Sequence, residues 1–121
     1  MNKYFLDTYA IIEIIKGNPG YQKFGKSEYF TSIFHTYELY YQILRDYNKD
    51  LAKRYYKKFE GSLLEINDED IFLASKIRLK HRKKRLSYAD SLGYAMSIKK
   101  KIKFLTGDKE FEDLKNVEFV K

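Results

Sequence analysis

The sequence predicts an α/β fold, a three-layer α/β/α arrangement around a central parallel sheet of four or five strands. Three observations predict it. Short apolar and aromatic runs alternate with helical segments of 10–15 residues, the rhythm of βαβ units whose sheet is covered on both faces. One helical stretch near the C-terminal end carries Ala89, Gly93 and Ala95, small enough to let a helix lie close on a sheet. The 121 residues hold a single proline and no linker, repeat or low-complexity stretch, so residues 1–121 read as one domain that can bury roughly two-thirds of its unfolded surface.

The elements follow in order. Lys3-Tyr4-Phe5-Leu6 forms a first strand that stops at Asp7-Thr8, and Tyr9 to Lys16 reads as a helix closed by Gly17-Asn18-Pro19-Gly20. Tyr29-Phe30-Thr31-Ser32-Ile33 is a second strand candidate. A helix from about Thr36 to Tyr47 comes next, with Leu39, Ile43 and Leu44 on one face, then another over Asp50–Phe59, ended by Gly61. Leu63-Leu64-Glu65-Ile66 is expected as a third strand. Asn67 or Asp68 caps a helix whose apolar positions Ile71, Phe72, Ile77 and Leu79 decay into a basic run. Ser87 restarts the chain as an N-cap with Asp90 three residues on, in capping-box spacing. Ile102-Lys103-Phe104-Leu105-Thr106 makes a fourth strand, Gly107-Asp108 a turn, Lys109–Leu114 about one helical turn, and Val117-Glu118-Phe119-Val120 a fifth strand.

Composition excludes several functions. With no cysteine there is no disulfide framework, thiolate zinc site, iron–sulfur cluster or cysteine nucleophile, and His35 and His81 alone cannot build a histidine-rich metal site. No apolar run approaches the roughly 18 residues of a membrane span, and Met1–Leu6 is too short for a signal peptide, so a cytoplasmic protein is expected. The net charge of +7 is unevenly spread: between Lys76 and Lys103 lie eleven Lys and Arg and one acid, Asp90. That segment, centred on Lys80, Arg82, Lys83, Lys84 and Arg85, reads either as a solvated helix end or as a field that attracts polyanions, nucleic acid first among them.

Four acids occupy related places in this scheme. Asp7 ends the first strand, Glu38 lies in the first turn of the helix after the second, Asp90 opens the helix before the fourth, and Asp108 follows that fourth strand. In an open parallel sheet, ligands bind beyond the carboxyl ends of the strands, so acids far apart in sequence can converge there. Each also has an ordinary reading: Asp7 as a helix cap, Asp90 as half of a capping box, Asp108 as a turn residue, Glu38 as a complement to a helix dipole.

Phe5-Leu6-Asp7-Thr8, Glu38 in Thr36-Tyr37-Glu38-Leu39, Ala89-Asp90-Ser91-Leu92 with its small-residue helix, and Phe104-Leu105-Thr106-Gly107-Asp108 come in an order that resembles the PIN-domain family, and within it the compact VapC-type toxins of prokaryotic toxin–antitoxin pairs. The resemblance runs from Phe5 to Val120. It departs from the family pattern at Tyr9, where a small Ser or Asn is usual, and it places Glu110 where some members carry a further carboxylate. It implies a PIN-like fold and a metal-dependent endoribonuclease with Asp7, Glu38, Asp90 and Asp108 as catalytic acids. Asp7, Asp90 and Asp108 would hold the ion, with Glu38 and Glu110 as further candidates. It also implies a small VapB-like antitoxin and a homodimer as partners.

The residues allow that chemistry on their own terms. Crowded carboxylates repel one another unless a cation neutralises them, and all-oxygen ligation suits Mg²⁺ or Mn²⁺. Water, activated by one ion or by two, would attack the phosphodiester. Lys80, Arg82, Lys83, Lys84 and Arg85 are the expected RNA contacts. Tyr37, Tyr40, Tyr41, Tyr47, Tyr55 and Tyr56, on two successive helices, serve either packing or a protein interface, while Tyr9 and Tyr88 are candidates for stacking on a base. Competing expectations are a PIN-fold module that binds RNA or protein without catalysis, and a housekeeping RNA-processing nuclease without an antitoxin. A phospho-acceptor domain would want an acid pair at the first strand's end, which this sequence lacks.

Overall fold

A computed structural model describes residues 2–121. Four strands form one parallel sheet: β1 Lys3–Leu6, β2 Glu28–Phe30, β3 Lys103–Thr106 and β4 Val117–Phe119, in the order β2-β1-β3-β4. The chain leaves β1 for one neighbour, β2, and later returns on the other side of β1 as β3. The order therefore reverses at β1, and the crevice beyond the ends of β1 and β3 is the expected ligand position in such a sheet.

Helices cover both faces. Because side chains alternate along a strand, Tyr4 and Leu6 pack with Leu105 into a core shared with α1 (Thr8–Ile15), α2 (Gln22–Gly25), α3 (Ile33–Asp46) and α4 (Lys49–Lys58). Phe5 and Phe104 face the opposite core, with α5 (Asp68–Lys80) and α6 (Tyr88–Lys100). This is the three-layer α/β/α arrangement, with four strands. The small residues of α6 serve the close approach that their size suggests: a Cβ on Gly93 would come within 2.7 Å of both Phe5 Cε1 and His35 Nε2.

Three expectations are corrected. Leu63–Ile66 is no strand. Thr31 and Leu63 form one isolated parallel bridge, and the ladder stops because Ser32 already caps α3 on one side and Asn67 caps α5 soon after on the other. The helix expected from Thr36 begins at Ile33, so Thr31 and Ser32 lead out of β2 into it and Glu38 falls in the second helical turn. On α5 the expected apolar face is largely exposed, at Ile71, Phe72 and Leu79. Asp70 and Ala74 are buried instead, because Asp70 closes a capping box with Asn67 and pairs with Lys99 of α6 at 3.1 Å. The Gly17–Gly20 break also runs on into a 3₁₀ turn at Pro19–Tyr21 and the short α2.

Candidate functional site

Asp7 is the residue at which β1 becomes α1. Its backbone N–H still donates to Leu105 O of β3, while its side chain caps α1, Oδ1 accepting from Thr8 N at 2.9 Å. Oδ2 accepts from the Thr106 hydroxyl at 2.7 Å, and Thr106 Oγ1 in turn accepts from Asp108 N at 3.0 Å. One threonine at the end of β3 therefore ties the first acid to the last. Thr8 does the same on the other side, its hydroxyl donating to Glu38 Oε1 at 2.7 Å. Asp90 completes the capping box of α6, Oδ2 accepting from Ser87 N at 2.9 Å. Asp108 caps the 3₁₀ turn Lys109–Phe111 through Glu110 N at 3.0 Å.

The capping roles and the convergence hold together. Asp7, Glu38, Asp90 and Asp108 line one cavity of about 370 Å³ beyond the ends of β1 and β3. Each spends oxygen on a hydrogen bond: Asp90 and Asp108 within their own caps, Glu38 on Thr8, and Asp7 on both Thr8 and Thr106. Oδ1 of Asp90, Oδ2 of Asp108 and Oε2 of Glu38 accept none among the described residues. The cost falls on the most buried acid. Asp7 is 3% exposed, and burial, then the charge of Asp90, and more weakly that of Glu38, push its carboxyl up to about 8 against the Thr106 and Thr8 hydrogen bonds. Burial, reinforced by the charges of Asp108 and Glu38, raises Asp90 to about 6 despite its bonds to Ser87.

Beneath Asp7 lies His35, wholly buried. Its Nδ1 shares a 2.6 Å hydrogen bond with Ser32 Oγ, and its Nε2 stands 4.0 Å from Asp7 Oδ1 with no hydrogen-bond partner among the described residues. Burial holds its pKa down at about 3, so the ring is neutral and is not a salt-bridge partner for Asp7.

Several lining residues escape a reading by motif. Ile12, Glu13 and Lys16 stand three, four and seven residues beyond Tyr9 along α1 and its C-cap, and Gln42 one turn beyond Glu38 on α3, so helical spacing from the motif residues marks them. Thr8 and Thr106 flank the acids in sequence but carry no charge to draw attention. Glu110 is not among the residues that line the cavity, and its Oε1 accepts from Arg85 N at 2.8 Å. Lys80, Arg82, Lys83, Lys84 and Arg85 do not line it either. They sit at the end of α5 and in the turn leading to α6, where Lys84 pairs with Asp113 at 2.8 Å.

An all-oxygen set with uncompensated charge suits a hard divalent cation. Among the described residues no three acidic or histidine side chains stand as a preformed ion cage. The fit therefore rests on the donor chemistry and on the raised acids, since a cation beside Asp7 and Asp90 would favour their ionised forms.

Comparison with known proteins gives the following. The family model of the PIN domain matches residues 4–117. A search of the curated proteins finds no match. Among solved structures, the chain is similar to VapC20 of Mycobacterium tuberculosis, described as a Sarcin-Ricin loop cleaving toxin (TM-score 0.82, 17% identity, covering 98% of this chain and 99% of that one). It is also similar to a chain of DNA-bound VapBC from Salmonella typhimurium (0.76, 20% identity, 99% and 98%) and to PAE2754 from Pyrobaculum aerophilum (0.70, 16% identity, 98% and 91%). At these identities the likeness establishes the fold.

Proposed function

Since the chain belongs to the PIN-domain family, we propose that it is a divalent-metal-dependent endoribonuclease, the toxin member of a VapBC-type pair. One observation carries this reading: four carboxylates from four separate stretches of chain line a single cavity at the sheet's switch point, two of them pushed well above the usual carboxylate range. Acids that only capped helices would have no reason to meet. The described cleavage activity of the neighbour from M. tuberculosis supports the substrate class.

In this reading Asp7, Asp90 and Asp108 hold Mg²⁺ or Mn²⁺, with Glu38 completing the oxygen set. When bound, such a cation supplies Lewis acidity toward a phosphate oxygen and a lowered pKa for water. The rest is the work of the chain. Thr106 and Thr8 fix the rotamers of Asp7 and Glu38, so the acids are oriented before a substrate arrives. Lys16, the cation in the cavity lining, offsets the approach of a phosphate to a negative pocket. Attack by water leaves a 5′-phosphate and a 3′-hydroxyl.

The antitoxin half of the proposal has its own support. A cavity of about 500 Å³ between α1, α3 and α4, lined by Ile12, Ile15, Ile43, Tyr47, Leu51 and Tyr55 among others, shares Ile12, Lys16 and Gln42 with the acidic cavity. A peptide seated there would border the acids. Tyr47 in its lining is about two-thirds exposed, as is Tyr37 on α3.

RNA cleavage by the purified chain tests the nuclease reading. Expected is activity with Mg²⁺ or Mn²⁺, none in EDTA, and a loss of at least about 100-fold in Asp90→Asn although that variant still binds RNA. Cleavage that survives EDTA, or that Asp90→Asn leaves near the parent rate, would overturn it.

A further inference from the structure

The basic turn lies away from the acids, yet it is not featureless. Between α5 and α6 opens a second cavity of about 330 Å³, lined by Arg78, Leu79, Arg82, Lys84, Leu86 and Tyr88 together with two serines, and by no carboxylate. Its size is at the lower end for a ligand pocket. Arg78 is pinned there, its Nε donating to Leu86 O at 3.0 Å and its guanidinium lying 4.2 Å from the centroid of the Tyr88 ring. Tyr88 itself is 79% exposed, so the guanidinium covers part of the ring and most of the rest meets solvent.

Exposure of an aromatic ring to this degree buries little apolar surface, so packing does not account for the position. Lys84 is partly neutralised by Asp113, which leaves Arg78 and Arg82 as the cations of the cleft without an acidic partner among the described residues. Guanidinium groups beside an open aromatic face combine the two contacts that a single nucleic-acid strand offers, phosphate and base plane. Tyr88 stands two residues before Asp90, whose carboxylate lines the other cavity. The first turn of α6 thus separates a basic, aromatic cleft from an acidic pocket.

We propose that this cleft is a nucleotide subsite, in which an unpaired base stacks on Tyr88 while Arg78 and Arg82 hold the adjoining phosphate of a strand that crosses the first turn of α6 to reach the acids. The inference rests on the nuclease reading and adds a positioning element to it: an unpaired nucleotide a step away from the scissile phosphate. A base-paired one would keep its face in the helical stack and have none to offer Tyr88.

The test is fluorescence anisotropy of a short labelled single-stranded RNA, and of an abasic oligomer of the same length, with the full chain in EDTA at fixed salt. Expected is that Tyr88→Ala weakens RNA binding by about 5- to 150-fold and leaves binding of the abasic oligomer unchanged. Tyr88→Phe, which keeps the ring, binds like the parent, and Arg78→Gln weakens both oligomers. Equal RNA affinity in parent and Tyr88→Ala, or an equal loss on the abasic oligomer, would overturn the subsite and leave the cleft to a protein ligand or to none. Since the readout needs no cation, the two ideas fail separately. Base-dependent binding without cleavage under any metal sinks only the nuclease reading, and cleavage with a Tyr88-independent affinity sinks only the subsite.

Discussion

The acidic pocket and the basic cleft lie on either side of one helical turn and show what burial does to charge. In the pocket, four carboxyls share a space in which Asp7 is almost wholly buried, and that burial, reinforced by the charges of neighbouring acids, raises Asp7 to about 8 and Asp90 to about 6. In and beside the cleft, as many cations crowd together in sequence from Arg82 to Arg85, but Arg82, Lys83 and Arg85 stand in water and Lys84 has found Asp113. Water screens the second set more than it screens Asp7 and its neighbours. The pocket can therefore do chemistry with its charge, while the turn can only attract and guide.

The largest effect that would sharpen this contrast is on catalysis. Asp7→Asn or Asp90→Asn is expected to lower kcat/KM for RNA cleavage by at least about 100-fold, the order found on removing one electrostatic group from an active site. Arg82→Ala, measured in the same assay, is expected to change kcat little and to act through KM. If Arg82→Ala lowered kcat as much as Asp90→Asn, the division between chemistry and guidance would be broken.

Next comes stability in the absence of metal. A carboxyl whose folded pKa is raised from 3.8 to about 8 binds its proton more tightly in the native state. Its stabilising contribution is complete below about pH 4 and is lost as pH rises through about 8. Melting temperature in EDTA should thus fall from pH 5 to pH 9 in the parent, and fall less in Asp7→Asn. Adding Mn²⁺ at pH 8 to about 100 times its Kd should restore about 2.7 kcal/mol to the parent. A flat pH profile in the parent would show that the Asp7 carboxyl is not raised in the folded state. His35 acts at the other end: with its folded pKa held down at about 3, it lowers stability as pH drops below its unfolded value of 6.5, and His35→Leu should flatten that acid limb.

Smaller, and aimed at the wall behind the pocket, is Gly93→Ala. Its methyl would meet Phe5 and His35 at 2.7 Å, so a loss of about 1–3 kcal/mol is expected in chemical denaturation. The smallest effects belong to the turn. Lys83→Ala and Arg82→Ala should leave the melting temperature unchanged, and each should reduce the slope of log affinity against log salt by about 0.7 if the residue neutralises one phosphate of a single strand.

Much of this was legible in the residues, and unevenly so. The strands at β1, β3 and β4 and the capping box of Ser87 and Asp90 follow from local rules, and each is found within a residue or so of its expected place. Leu63–Ile66 misled because an apolar run says nothing about whether a ladder partner is free. The start of α3 was displaced because Tyr29–Ile33, rich in aromatic and β-branched residues, looks strand-like until Ser32 takes the cap. Glu110 carries the same carboxyl as its neighbour Asp108 but bonds Arg85 instead, a choice made by the direction of one 3₁₀ turn.

Sequence alone determined the α/β class, the positions of Asp7, Asp90 and Asp108 at the ends of elements, and the separation of the basic run from the rest of the chain, because periodicity, capping and charge are properties of neighbours along the chain. Only the tertiary structure decided that Thr8 and Thr106 bind those acids into pairs, that His35 lies beneath them, and that Tyr88 shares a cleft with Arg78. Those contacts join residues that the strand order and the packing of α5 on α6 bring together, and the energy that sets their pKa values is the desolvation of a shared pocket, which no local stretch contains.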